Sequence, residues 1–206
     1  RRSSDLELTF GGGAVMKKII VGITGASGTT YAISLLKALH DLPDIETHLV
    51  MSKWAVKNLE LETDLTLTQV KNLADQIYNI NDQGAVIASG SFLTAGMVIV
   101  PASMKTIAGV AYGFADNLIG RAADVCLKER RKLIIVPRES PLSTLHLENM
   151  LKLSQMGVEI IPPLPAFYNH PQTIADLVNH NTMKLLDALG VRNELSPRWQ
   201  GDQNER

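Results

Sequence analysis

The sequence predicts a three-layer α/β/α domain on a mostly parallel central sheet, and three observations carry that expectation. Short apolar, β-branched runs alternate along the chain with longer segments of helical period. Within those runs successive positions are apolar, as in strands covered by helices on both faces. Glycine, serine and proline gather at the turns that follow the runs.

The elements follow in order. Lys18-Ile-Ile-Val-Gly22 is the first strand, with a helix over 28–40 behind it. Thr47-His-Leu-Val-Met51 is the second; Ser52 then caps a helix over 53–61, because its hydroxyl can accept from the free amides of the first turn. No regular element is assigned between 62 and 96. Met97-Val-Ile-Val100 is a central strand, followed by Ser103 as cap of a helix over 104–113 and by a second helix over 117–131. Leu133-Ile-Ile-Val136 leads to a helix over 145–156 that Gly157 stops, and Val158-Glu-Ile-Ile161 is the last strand. After Pro162-Pro-Leu-Pro165 comes a helix over 173–189, stopped by Gly190. Residues 1–15, with their Gly11-Gly-Gly13 run, read as a leader or an expression remnant, 16–194 as one domain, and 195–206 as a polar tail.

Composition removes several function classes. The 206 residues are 45% hydrophobic, and 20 Lys+Arg balance 21 Asp+Glu, so no basic field awaits nucleic acid or an anionic membrane. No apolar run approaches the roughly 18 residues of a membrane span. The one cysteine, Cys126, lies in a helical run and excludes an internal disulfide, which fits a reducing cytoplasm. Five histidines occur in neither HxxxH nor HExxH spacing, so no metal site is expected. Neither a G-x-x-x-x-G-K-[ST] loop nor a DDxxD cluster is present for ATP hydrolysis or magnesium-assisted diphosphate ionisation.

In an open parallel sheet, ligands bind outside the carboxyl ends of the strands. The turns there are Gly22-Ile-Thr-Gly-Ala-Ser-Gly28, Ser52, Pro101-Ala-Ser-Met-Lys-Thr106 and Pro137-Arg-Glu-Ser-Pro141, each with a phosphate-compatible group. Thr24 replaces the middle glycine of the dinucleotide fingerprint, and the second strand ends in Met51-Ser52 where an acidic residue would hold an adenine-side ribose. Both departures favour a mononucleotide such as FMN.

These strings, with Val50-Met-Ser-Lys-Trp54, Ala88-Ser-Gly-Ser91, Arg121-Ala-Ala-Asp-Val125, Leu127-Lys-Glu-Arg130, His146-Leu-Glu-Asn-Met-Leu-Lys152 and Pro165-Ala-Phe-Tyr-Asn169, resemble the flavin prenyltransferase family. Its members have also been described as phenylacrylic or hydroxyarylic acid decarboxylases, or as partner subunits of such enzymes. The resemblance implies a Rossmann-like flavoprotein fold and a metal-independent enzyme that joins a dimethylallyl group, from dimethylallyl monophosphate, to N5 and C6 of reduced FMN. It further implies a homo-oligomer, expected as a dodecamer with sites at subunit interfaces, whose product serves a separate decarboxylase of aromatic or acrylic acids. Carried over by position, Gly25, Ala26, Ser27, Ser52, Ser103, Met104, Lys105, Thr106 and Arg138 would hold the flavin. Tyr168 and Lys184 would hold the allylic phosphate, with Lys128 and Arg121 near it from the same or a neighbouring subunit. Glu139, Ser27 and Glu62 would be the proton-transfer groups. Some relatives have arginine where this chain has Lys184, whose ammonium lacks the planar two-pronged grip on phosphate. Direct decarboxylation of a hydroxyaryl acid and a non-catalytic accessory role stay open; related cysteine decarboxylases carry Asn at the place of Lys105.

Overall fold

The structure, a computed structural model, describes residues 16–201; the proposed leader at 1–15 and residues 202–206 of the tail lie outside the described residues. The elements are β1 (Lys17–Ile23), α1 (Thr29–His40), β2 (Ile45–Met51), α2 (Lys53–Glu62), α3 (Leu67–Lys71), β3 (Gln76–Tyr78), a 3₁₀ turn (Val86–Ala88), β4 (Gly96–Ala102), α4 (Met104–Ala111), α5 (Leu118–Lys128), β5 (Lys132–Pro137), α6 (Thr144–Gln155), β6 (Glu159–Ile160) and α7 (Ile174–Ala188). The strands form one six-stranded sheet of order β3-β2-β1-β4-β5-β6, and every pairing among the described residues is parallel. The sheet is thus wholly parallel where the sequence suggested mostly so, and its order is that of a doubly wound nucleotide-binding fold.

Strand alternation divides the core into two layers. Ile19, Val21 and Ile23 of β1, with Val98 and Val100 of β4, face α1, α2, α3 and α7. Ile20 of β1, with Met97 and Ile99 of β4, faces α4, α5, α6 and the 3₁₀ turn. Apolar side chains at consecutive positions are therefore required, since the pleat sends neighbours to opposite covered faces. Each fully buried Ile, Leu or Val contributes about 1.5–3 kcal/mol of burial.

Helix starts follow side-chain caps. Ser52 accepts from the Ala55 amide, Ser103 from Thr106 and Asn117 from Gly120, each worth ~1 kcal/mol. Gly157 and Gly190 end α6 and α7 with φ of 88° and 68°, the left-handed stop that their positions predict. α5 ends at Lys128, short of 131, because Arg130 turns left-handed (φ 53°) and the Arg131 amide closes back on the Cys126 carbonyl at 2.8 Å.

The interval from 62 to 96 holds more structure than expected. β3 is only three residues long, too short for a periodic signal. α3 is short as well, yet Thr66 and Gln69 close a capping box around its first turn, and the T-x-x-Q spacing stands in the sequence.

Candidate active site

The strand order reverses direction between β1 and β4, so a crevice opens at their carboxyl ends. Thr24, buried in the turn after β1, explains the departure from the glycine fingerprint. Its hydroxyl donates to the Pro101 carbonyl at 2.8 Å and accepts from the Ser103 amide at 2.8 Å. One side chain thereby ties the β1 turn to the β4 turn, which glycine could not do.

Glu62, at the end of α2, reaches the start of α1. Its carboxylate accepts from the Gly28 amide at 2.9 Å and the Thr29 amide at 2.8 Å. Gly28 sits at φ 108°, a conformation that glycine adopts without strain. Partial burial pushes the Glu62 carboxyl up, but hydrogen bonds from the Ser27 hydroxyl and the two amides outweigh it and hold the carboxyl below its ordinary range. The anion at this helix end is therefore the protein's own carboxylate, which already satisfies the Gly28 and Thr29 amides. Ser27 and Glu62 come together; Ala26 is held by its carbonyl, which accepts from Asn58 Nδ2 at 2.9 Å.

A cavity of about 670 Å³ occupies the crevice. Of the residues proposed to hold the flavin, Gly25, Ser52, Ser103, Lys105 and Thr106 line it, and Met104 lies between them at the first position of α4. The other walls were not anticipated: Trp54, Ile80, Phe114, Asn117, Ile119 and Gly120. Gly25 is required here, since a Cβ would lie 2.6 Å from that of Trp54. The Trp54 signal was present as an exposed-helix aromatic directly behind the Ser52 cap, whereas Phe114 sits in an irregular turn with no pattern to mark it. Apolar walls, hydroxyls and the free amides of two helix N-termini suit a flat aromatic ring carrying a phosphate, so the residues present fit FMN.

The remaining candidates do not line this cavity. Arg138 follows β5, its amide bound to the Ala102 carbonyl at 3.3 Å, and neither it nor Lys184 enters an ion pair among the described residues. The exposed Glu139 accepts from the Ser140 amide at 3.0 Å. Tyr168 and Lys184 each lie near His180 of α7: the Tyr168 hydroxyl is 3.4 Å from His180 Nε2, while burial first, and the Lys184 charge second, push the His180 pKa down. Trp199 packs edge-on against Tyr168 at a centroid distance of 5.7 Å. His180 and Trp199 escaped sequence reasoning because nothing local links positions 168, 180 and 199.

Arg121 and Lys128 lie apart again. Arg121 donates to the Ala88 carbonyl at 3.1 Å and pairs with Asp124 at 2.7 Å. Lys128 pairs with Glu129 beside Gly90, at the end of α5 that leads into the start of β5, hence on the amino edge of the sheet. Among the described residues no group of three or more His, Cys, Asp or Glu side chains could hold a metal ion.

Comparison with known proteins agrees with this geometry. Residues 13–185 match the family model described as Flavoprotein. The chain is 70% identical to the flavin prenyltransferase LpdB of Lactiplantibacillus plantarum, across 91% of this chain and 100% of that protein. A crystal structure of AnUbiX (PadA1) in complex with FMN and dimethylallyl pyrophosphate superposes with a TM-score of 0.89 at 47% identity, covering 91% of this chain and 99% of that one. A dodecameric FMN-dependent UbiX-like decarboxylase from Escherichia coli O157:H7 gives 0.88 at 57% identity, over 89% and 100% of the two chains. Matches of this extent and identity, on a chain whose crevice has the shape and donors a flavin needs, place it in a family: the chain belongs to the flavin prenyltransferases.

Proposed function

We propose that this chain transfers a dimethylallyl group from dimethylallyl monophosphate to reduced FMN, and that the prenylated FMN passes to a separate decarboxylase of aromatic or acrylic acids. The observation that carries the reading is the cavity at the sheet's switch point, open to the N-termini of α2 and α4 and closed at α1 by Glu62. When bound, reduced FMN supplies N5 and C6 as the atoms to which the five-carbon group bonds.

The chain's own residues have three tasks. Tyr168, Lys184 and Arg138, joined by Lys128 and Arg121, hold the departing phosphate; each charged hydrogen bond contributes roughly 1.5–3 kcal/mol. Trp54, Phe114 and Ile119 keep water from the allylic carbons, whose burial contributes about 4 kcal/mol at ~0.8 per carbon. Glu139 accepts the proton released on ring closure, and the Ser27 hydroxyl, held by Glu62, moves a proton at its Oγ. Lys128 sits on the opposite edge of the sheet from the crevice, so it serves a site only in an oligomer, which we infer to be a dodecamer like the E. coli relative. Residues 16–194 act as a single flavin-binding unit. No helix among the described residues is long and apolar enough to cross a membrane, and with the buried thiol of Cys126 this supports a cytoplasmic enzyme.

The test is to incubate the protein with reduced FMN and dimethylallyl monophosphate and to weigh the flavin. A gain of one five-carbon unit is expected. Flavin of unchanged mass, together with carbon dioxide released from a hydroxybenzoate by the protein alone, would replace this reading with direct decarboxylation.

A further inference from the structure

The segment after α7 folds back onto it. Arg198 grips Asp187 with both arms of its guanidinium, Nη1 to Oδ2 at 2.8 Å and Nη2 to Oδ1 at 2.7 Å. Asn193 Nδ2 donates to the same Oδ1 at 3.0 Å, and Arg198 Nη2 also donates to the Asn193 carbonyl at 3.3 Å. A two-pronged pair fixes orientation as well as distance. On one side of this latch, Ser196 is buried, its Oγ 3.3 Å from His180 Nδ1 and accepting from Asn169 Nδ2 at 3.3 Å. On the other side is Trp199, packed edge-on against Tyr168. Tyr168 thus stands between His180 of α7 and Trp199 of the returning segment, beside a recess of about 240 Å³.

Proton bookkeeping gives the arrangement a direction. Ser196 Oγ accepts from Asn169, and with His180 in its Nε2–H tautomer the Ser196 proton is donated to His180 Nδ1. A neutral imidazole that accepts at Nδ1 carries its proton on Nε2 and donates it to the Tyr168 oxygen. The single Tyr168 proton is then free to point away from α7. Burial and the Lys184 charge both favour the neutral imidazole that this chain of donors requires.

We propose that residues 195–201 form a positioning strap, latched by Asp187 and Arg198, which through Ser196 and His180 turns the Tyr168 hydroxyl into a dedicated donor for the phosphate of the allylic substrate. Asp187, Arg198 and His180 are positioning residues in this scheme. It deepens the prenyl-transfer reading and rests on Tyr168 serving that substrate.

The experiment compares the full-length protein with Asp187→Ala, Arg198→Ala and the charge-swapped pair Asp187→Arg/Arg198→Asp. The readouts are KM for dimethylallyl monophosphate, Kd for FMN, and tryptic cleavage after Arg198 in the absence of any ligand. Each single variant should raise KM about tenfold and leave the FMN Kd within twofold, the swap should recover most of the loss, and Asp187→Ala should be cut after Arg198 faster than wild type. Unchanged KM in the single variants, or a swap no better than either, overturns the strap. If wild type transfers no dimethylallyl group, the prenyl-transfer reading falls by itself; equal tryptic rates in wild type and Asp187→Ala would then overturn the latch separately.

Discussion

Two acid–base groups, the exposed but hydrogen-bonded Glu62 and the buried His48, make the chain's stability depend on pH in predictable directions. Glu62 holds the Gly28 and Thr29 amides, and its carboxyl is depressed from 4.5 by the Ser27 and backbone hydrogen bonds that outweigh its burial. A depressed carboxyl stabilises the fold above its unfolded value and loses that contribution as pH falls through the folded one. Glu62→Gln keeps an acceptor oxygen and removes the charge, so at this exposed, solvent-screened position it should cost less than about 1 kcal/mol near neutrality and should flatten the fall in urea midpoint below about pH 4.5. His48 behaves through burial: its Nδ1 lies 2.9 Å from the Tyr78 hydroxyl, Glu46 and Lys18 flank it, and burial lowers its pKa from 6.5 against the pull of Glu46. Its contribution is complete above the unfolded value and is lost as pH drops below it. His48→Gln should remove that acid limb from a plot of Tm against pH, while an unchanged limb would place the titration elsewhere. Neither group was marked by the sequence as structural, because each acts on a residue about thirty positions away.

At the scale of elements, the strands and their caps were legible and the stitches between turns were not. Apolar runs reveal a doubly covered strand directly, and Ser52 and Ser103 each announce a helix because a cap bonds within three residues of itself. Thr24 reads in the sequence only as a missing glycine; its value comes from Pro101 and Ser103, which the parallel pairing of β1 and β4 brings beside it. Thr24→Val keeps the volume and deletes both bonds. About 1–3 kcal/mol of stability should be lost, read as a lower denaturant midpoint, and FMN affinity should fall with it as the two turns part. A variant that loses stability but binds FMN as tightly as wild type would show that the stitch does not shape the flavin site. β3 and α3 fell below any periodic signal, yet they complete the edge of the sheet and cover Leu49 and its neighbours.

At the scale of the whole molecule, the candidate residues form separate groups: the crevice, the α7 cluster, and, along α5, Arg121 in the first turn and Lys128 at the far end on the amino edge of the sheet. The resemblance gathered them around the flavin and the allylic phosphate, leaving open whether Lys128 and Arg121 come from the same or a neighbouring subunit, because a motif records residue type and order without distance. Their separation in one copy leads to a mixing experiment. Lys128→Ala and Tyr168→Phe proteins, each nearly inactive, should regain prenyl transfer when their subunits are exchanged, since a mixed assembly builds some sites from intact halves. Activity that stays at the level of the separate variants would mean that both residues serve one site from one copy. Glu62 carries a further consequence for turnover. In most nucleotide-binding folds the first helix leaves its amides for the visitor, and the visitor's departure leaves them bare. Here that end is already satisfied by a tethered carboxylate, so the empty protein keeps its shape without its guest. On the proposed function, in which the flavin passes to another protein after each cycle, a vacated site that needs no chaperoning is a condition of working repeatedly.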